Sequence, residues 1–167
     1  MIIYKTGNLL DTPDEVIVHG CNAQGVMGSG VAKAIREKYP KAYSDYIRAW
    51  NFTPKSDIVL RAMMGNVVVS AQPDGKTILN AITQENYGTD GKKYVSYDAI
   101  DNAMISIAHS SMFKDFFGGE KRTVPAKISM PRIGAGLGGG NWEVIEAIIN
   151  HRLKDHQVTV LSLASDV

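Results

Sequence analysis

Two glycine-rich segments, each lying between a β-branched apolar run and an amphipathic helical pattern, limit what this chain can fold into more than any other feature. The first is His19-Gly20-Cys21-Asn22-Ala23-Gln24-Gly25-Val26-Met27-Gly28-Ser29-Gly30-Val31-Ala32, after the run Val16–His19 and ahead of a short helix that carries Val31, Ala32, Ala34 and Ile35. The second is Met130-Pro131-Arg132-Ile133-Gly134-Ala135-Gly136-Leu137-Gly138-Gly139-Gly140-Asn141-Trp142, after Lys127–Met130 and ahead of a helix with Trp142, Ile145, Ile149 and Leu153 on one face. A strand–loop–helix junction aims backbone N–H groups and the positive end of a helix into one space, which suits a phosphate. In an open α/β sheet that space lies beyond the carboxyl ends of the strands, where ligands bind. One glycine loop alone is explained equally well by a tight turn. Two at equivalent positions can hold the two ends of one diphosphate.

The rest of the chain supplies the frame. Further strands are predicted at Ile2–Tyr4, Ile58–Met63, Asn66–Ser70, Thr77–Ile82 and Val158–Leu163. Tyr43, Tyr46, Ile47 and Trp50 mark a helix after Pro40, and Tyr97, Ile100, Met104 and Ile107 mark a longer one; both stripes are core surfaces. Alternation of strands and helices gives an α/β fold with a mostly parallel sheet. Asp74-Gly75 reads as a hairpin turn, Asp90-Gly91 as a loop, and the stretch from Phe116 to Pro125 as a mobile surface loop containing Gly118-Gly119-Glu120-Lys121-Arg122.

With 167 residues, 44% of them hydrophobic, residues 1–167 fit a single domain able to bury its own core. A net charge of +1, with no Lys/Arg block longer than two, lacks the footprint of a polymeric nucleic-acid binder. No apolar run approaches the ~18 residues of a membrane span, and no leader pattern opens the chain. A cytoplasmic monomer is expected. Cys21 is the only cysteine, and His109, His151 and His156 lack ligand spacing, so neither a disulfide nor a metal site is expected.

Rival phosphate motifs fit poorly. A Walker A loop ends in Gly-Lys-Ser/Thr, whereas Gly30 is followed by Val31 and Ala32. Gly134, Gly136 and Gly139 match G-x-G-x-x-G, but Val158–Leu163 carries no carboxylate for a ribose, and a dehydrogenase needs a substrate domain for which this chain is too short.

At Gly7-Asn8-Leu9-Leu10, His19-Gly20-Cys21-Asn22, Met27-Gly28-Ser29-Gly30-Val31-Ala32, Tyr39-Pro40-Lys41-Ala42 and Met130-Pro131-Arg132-Ile133-Gly134-Ala135-Gly136-Leu137, the chain resembles the macro domains. Within them it resembles the branch of ADP-ribose 1''-phosphate phosphatases and terminal ADP-ribose protein glycohydrolases. The resemblance implies a three-layer α/β/α fold around a central mixed, mostly parallel sheet, with ADP-ribose lying across the strand ends and no cofactor. It places Asn8 and Leu9 on the adenine, with Leu163 and Ser162 closing that side. Asn22 would bind the distal ribose, and Gly28, Ser29, Gly30, Val31 and Ala32 would wrap that ribose and its phosphate. Ile133, Gly134, Ala135, Gly136, Leu137 and Gly138 would give backbone donors to the diphosphate. Cys21, Ala23, Met27, Gln84, Pro131 and Arg132 complete the implied contacts.

Two departures bear on chemistry. The glycohydrolases of this branch use a lysine shortly after an Ile-Thr pair and an aspartate after the Gly-x-Gly-Leu of the second loop; here Gln84 follows Ile82-Thr83, and Gly138 stands in the second place. The covalent glycohydrolase route is therefore not expected. The phosphatases share the His-x-Cys-Asn start, which points to removal of the 1''-phosphate from ADP-ribose 1''-phosphate, with Asn22 positioning the ribose and His19 assisting proton transfer. The alternatives are an ADP-ribosyl hydrolase working by attack of a bound water and a non-catalytic ADP-ribose reader. Each residue also has a plainer role: His19 could satisfy a backbone carbonyl, Asn22 could form an Asx turn, Cys21 could fill core space, and Tyr87 could pack down rather than cover the ribose.

Overall fold

The computed structural model describes residues 2–110, 112, 114–117, 120–123 and 125–164. In chain order the elements are β1 (Ile2–Thr6), a short 3-10 turn (Leu9–Asp11), β2 (Val16–Asn22), α1 (Gly30–Lys38), α2 (Pro40–Asn51), α3 (Asp57–Ala62), β3 (Val67–Ala71), β4 (Thr77–Gln84), α4 (Tyr97–Ala108), β5 (Lys114–Phe117), β6 (Glu120–Thr123), β7 (Lys127–Met130), α5 (Trp142–Arg152) and β8 (Gln157–Ser162). Six strands form one sheet in the order β1-β8-β7-β2-β4-β3. All neighbours are parallel except β3, which runs antiparallel to β4 after the tight turn at Gly75 (φ +87°).

Side-chain alternation along the central strands sends apolar groups to both faces. Val18, Leu79 and Ala81 join Ile100, Met104, Ile107, Ile145, Ile149 and Leu153 on the α4–α5 side. Ile17 and Ile78 join Ile35, Tyr39 and Ala42, while Cys21 and Ile82 join Tyr46, Leu60 and Met63, under the α1–α3 layer. The result is helix, sheet, helix, as the alternation of patterns requires. Each fully buried Ile, Leu or Met contributes about 1.5–3 kcal/mol. Tyr39-Pro40 separates α1 from α2, with Pro40 seated where a helix's first N–H needs no partner.

Three expectations change. The run Ile58–Met63, expected as a strand, is mostly helical, as α3. Leu60 and Met63 turn inward while Ile58 is exposed, a helical rather than an alternating pattern. The stretch expected as a loop from Phe116 to Pro125 overlaps a strand pair, taking in the end of β5 and all of β6, in antiparallel register; Gly118 and Gly119 lie outside the described residues. Finally, β2 continues past His19 to Asn22, paired with β4 as far as Gln84. No helix among the described residues is long and apolar enough to cross a membrane.

Candidate ligand-binding site

The first glycine loop starts at Asn22, whose side chain organises it. Asn22 Oδ1 accepts from the backbone N–H groups of Gln24 (2.9 Å) and Val26 (3.2 Å), and Nδ2 donates to the Val26 carbonyl at 2.7 Å. Helix α2 holds the loop from below. The buried Tyr46 hydroxyl donates to the Asn22 carbonyl at 2.6 Å, and the Trp50 indole N–H donates to the Ala23 carbonyl at 3.1 Å. Gly25 passes over Trp50 at φ +76°, where a Cβ would come within 2.9 Å of the ring. The Tyr46 and Trp50 positions, legible only as a core stripe in the sequence, are thus the foundation of the loop.

The second loop turns on itself. Gly134 has φ +73°, and a Cβ there would lie 2.7 Å from Val95 Cγ2. Its carbonyl accepts from the Gly140 amide at 2.9 Å, while the Gly138 carbonyl accepts from the amides of Tyr94 and Val95. A Cβ on Gly138 would stand 2.6 Å from the Gly134 carbonyl oxygen, so even an aspartate at this position could not enter without moving backbone.

Between the loops and the end of β4 lies a cavity of about 550 Å³, within the range that takes a nucleotide-sized ligand. The amides of Gly28, Ser29, Gly30, Val31 and Ala32 in the first loop and helix α1, and of Gly134, Gly136, Leu137 and Gly138 in the second, belong to residues lining this cavity. None of these amides donates a hydrogen bond among the described residues. Val31 and Ala32 are in the first turn of α1, where N–H groups have no intrahelical acceptor. Arg132 is the one side chain with a formal charge among the described lining residues, and its guanidinium lies 6.0 Å from the Trp142 ring. The site is therefore built to hold anionic oxygens on peptide donors.

The structure brings together most of the expected contacts: Cys21, Asn22, Gly28 to Ala32, Gln84, Pro131 to Gly134, and Gly136 to Gly138 all line the cavity. Asn8, Leu9, Ala23, Met27, Ala135 and Leu163 do not. Asn8 Oδ1 accepts from the Leu10 amide, which caps the 3-10 turn, and Leu9 is buried against Ile17 and Ile35. Ala23 and Met27 are core residues that pack with Tyr46.

His19 is the main correction. It is fully buried, because β2 continues beyond it and its ring points beneath α2 rather than into the cavity. Its Nε2–H donates to Asn80 Oδ1 at 2.7 Å, and Asn80 Nδ2 in turn donates to the carbonyls of Ala42 and Val68. Loss of hydration holds the imidazole down at about 4, despite the Asn80 bond and a backbone bond at Gly20 that both favour the proton. A neutral histidine sealed in this network has no route to a substrate proton. Cys21 touches the cavity but is 3% exposed, and burial pushes its thiol well above the usual range, so it is no thiolate nucleophile. Gln84 Nε2 donates to the Asn86 carbonyl at 2.8 Å.

The lining also includes Gly20, Val26, Thr83, Tyr87, Gly88 and Thr89. Tyr87 was legible as an aromatic that could cover the ligand, and it is half exposed at the mouth. Thr83 carries no sequence signal of its own; a pairing irregularity brings it in. No cluster of metal-ligating side chains occurs among the described residues.

A mostly parallel sheet flanked by helices, with two loops presenting free amides to one cavity at the strand ends, defines an α/β phosphate-cradle domain. Residues 18–149 match the model of the Macro domain family, and the chain belongs to that family. It is 29% identical over 148 residues to the DNA ADP-ribosyl glycohydrolase of Mycobacterium tuberculosis, covering 87% of this chain and 37% of that protein. The chain thus spans a little over a third of that relative's length. A shorter match, 42% identical over 53 residues, links 29% of the chain to 26% of the ADP-ribose 1''-phosphate phosphatase of Aspergillus oryzae. Among solved structures, the macrodomain of Mycobacterium tuberculosis DarG superposes with a TM-score of 0.70 at 25% identity, over 98% of this chain and 99% of that one.

Proposed function

We propose that the cavity binds ADP-ribose and that the protein hydrolyses ADP-ribose derivatives at the distal ribose, with ADP-ribose 1''-phosphate as its substrate. The observation that carries this reading is the set of free backbone amides that two separate loops contribute to one cavity. Such donors match a diphosphate without a basic protein surface. In the proposed reaction a water oxygen bonds to the 1''-phosphorus, the bond from phosphorus to the anomeric oxygen breaks, and inorganic phosphate and ADP-ribose leave. Oriented amides stabilise the charge on the equatorial oxygens, which is the largest part of what a protein supplies in phosphoryl transfer. Asn22 retains one Nδ2 hydrogen beyond its loop bond, enough to orient a ribose hydroxyl. His19 takes no part.

The glycohydrolase relative favours the related hydrolysis of ADP-ribosylated macromolecules. Gln84 and Gly138 stand where that branch carries its lysine and aspartate, so any such activity would need water alone. A non-catalytic reader is favoured by a different observation: no carboxylate or accessible imidazole lines the cavity among the described residues. Measuring phosphate released from ADP-ribose 1''-phosphate under single-turnover conditions tests the proposal. Release well above the buffer rate is expected, and tight ADP-ribose binding with no release would make the protein a reader.

A further inference from the structure

The backbone of Gln84 is tied to both loops. Its carbonyl accepts from the Ala23 amide of the first loop at 2.9 Å, it pairs across the sheet with Asn22, and it forms an isolated bridge with Val95. Val95 in turn donates to the Gly138 carbonyl of the second loop at 3.0 Å. The side chain is anchored as well. Nε2 donates to the Asn86 carbonyl at 2.8 Å, and since only the NH2 end of a carboxamide can meet a carbonyl, Oε1 is the atom left over. Gln84 lines the cavity and is partly exposed, and its Oε1 has no partner among the described residues.

The loops present N–H donors, which hold phosphate oxygens. An attacking water must also give a hydrogen to an acceptor, so that a lone pair faces phosphorus. The other carboxamide oxygen in the lining, Asn22 Oδ1, is taken by the amides of Gln24 and Val26. Ser29, Tyr87 and Thr89 are exposed, and no hydrogen bond fixes their hydroxyls among the described residues. We infer that Gln84 positions the attacking water: Oε1 accepts a hydrogen bond from the water, and the bond from Nε2 to Asn86 keeps that oxygen in place. The inference rests on the reading that this cavity hydrolyses ADP-ribose 1''-phosphate. A neutral amide suffices, because phosphoryl transfer asks a protein for positioning and charge stabilisation more than for a strong base. The water oxygen bonds to phosphorus as the bond to the anomeric oxygen breaks. One water hydrogen stays on inorganic phosphate, the other reaches the departing anomeric oxygen through solvent, and Gln84 keeps its own.

The test is single-turnover phosphate release at saturating ADP-ribose 1''-phosphate by the parent, Gln84→Met and Gln84→Glu, with calorimetric titration of ADP-ribose and a thermal melt of each protein. Gln84→Met keeps the length of the side chain and removes the acceptor, so release should slow about 10- to 100-fold. Its affinity for ADP-ribose should stay within about threefold of the parent, since the lost contact is to water and not to the ligand. Gln84→Glu retains acceptor oxygens and should release phosphate several-fold faster than Gln84→Met. Parent-like release by Gln84→Met overturns the inference. So does a loss of ADP-ribose affinity as large as the loss of rate, which would make Gln84 a ground-state contact, and so does a Gln84→Glu protein no faster than Gln84→Met. Should Gln84→Met not fold, Gln84→Leu carries the same expectation. A parent that binds ADP-ribose and releases no phosphate contradicts the hydrolytic reading and the inference with it, and the parent's own rate tells that failure from one confined to Gln84.

Discussion

A valine at Gly136 should block the ligand and leave the fold alone. Gly136 lines the cavity, does not have positive φ, and a Cβ built on it meets no atom within 4 Å. The backbone can therefore accept a branched side chain, which then stands in open space at the wall that ligand phosphates would approach. Displacing one charge-assisted contact between an amide and a phosphate costs about 1.5–3 kcal/mol, or roughly 10- to 150-fold in Kd. The unliganded melting temperature should move by no more than about 2 °C, since no packing is disturbed. Gly30 provides the contrast. At φ +55° it occupies the left-handed region, so Gly30→Val adds a backbone cost of about 1–2 kcal/mol to any loss of binding. That cost should lower the melting temperature by roughly 2–8 °C. Calorimetric titration and scanning calorimetry on the two variants separate the effects. Parent-like affinity in Gly136→Val would refute the cradle, whatever Gly30→Val does.

His19 makes stability depend on acidity. Its folded-state value near 4 lies below the ordinary 6.5, so the unfolded chain takes up a proton that the native protein refuses. Stability is fully present above about pH 6.5 and is lost as pH falls toward 4, by roughly 3 kcal/mol in all. Burial shifts His156 in the same direction. Urea midpoints measured across this range should show a shallower slope in His19→Gln, and phosphate release by that variant at pH 7 should stay within a few-fold of the parent. An unchanged slope, or a hundredfold loss of turnover in a folded variant, would contradict the structural role given to this histidine. Tyr46→Phe removes the hydroxyl that anchors Asn22; it should cost about 1–2 kcal/mol in chemical denaturation and weaken ADP-ribose binding severalfold. Loss of stability with no change in affinity would separate the loop from its anchor.

Local chemistry explains what the sequence made legible. The two glycine loops, the helix stripes at Tyr43 to Trp50 and Tyr97 to Ile107, and the Asp74-Gly75 turn all follow rules of periodicity and backbone freedom that act over a few residues. The misreadings arise where pairing partners decide. Ile58, Val59 and Leu60 are equally suited to a strand or a short helix, and packing of Leu60 and Met63 against Tyr46 settles the matter. His19 looked like a strand end because Gly20 follows it, yet pairing with β4 carries the strand to Asn22 and seals the imidazole. Thr83 lies where the pairing of β2 with β4 is irregular, which depends on the register of two strands some 60 residues apart in sequence, and nothing in its neighbours announces it.

Whether two loops form one ADP-ribose site is decided by calorimetric titration of the parent protein with ADP-ribose. One site shared by both loops should give 1:1 binding with micromolar affinity, about 8 kcal/mol. The absence of both heat and thermal stabilisation at millimolar ADP-ribose would contradict it.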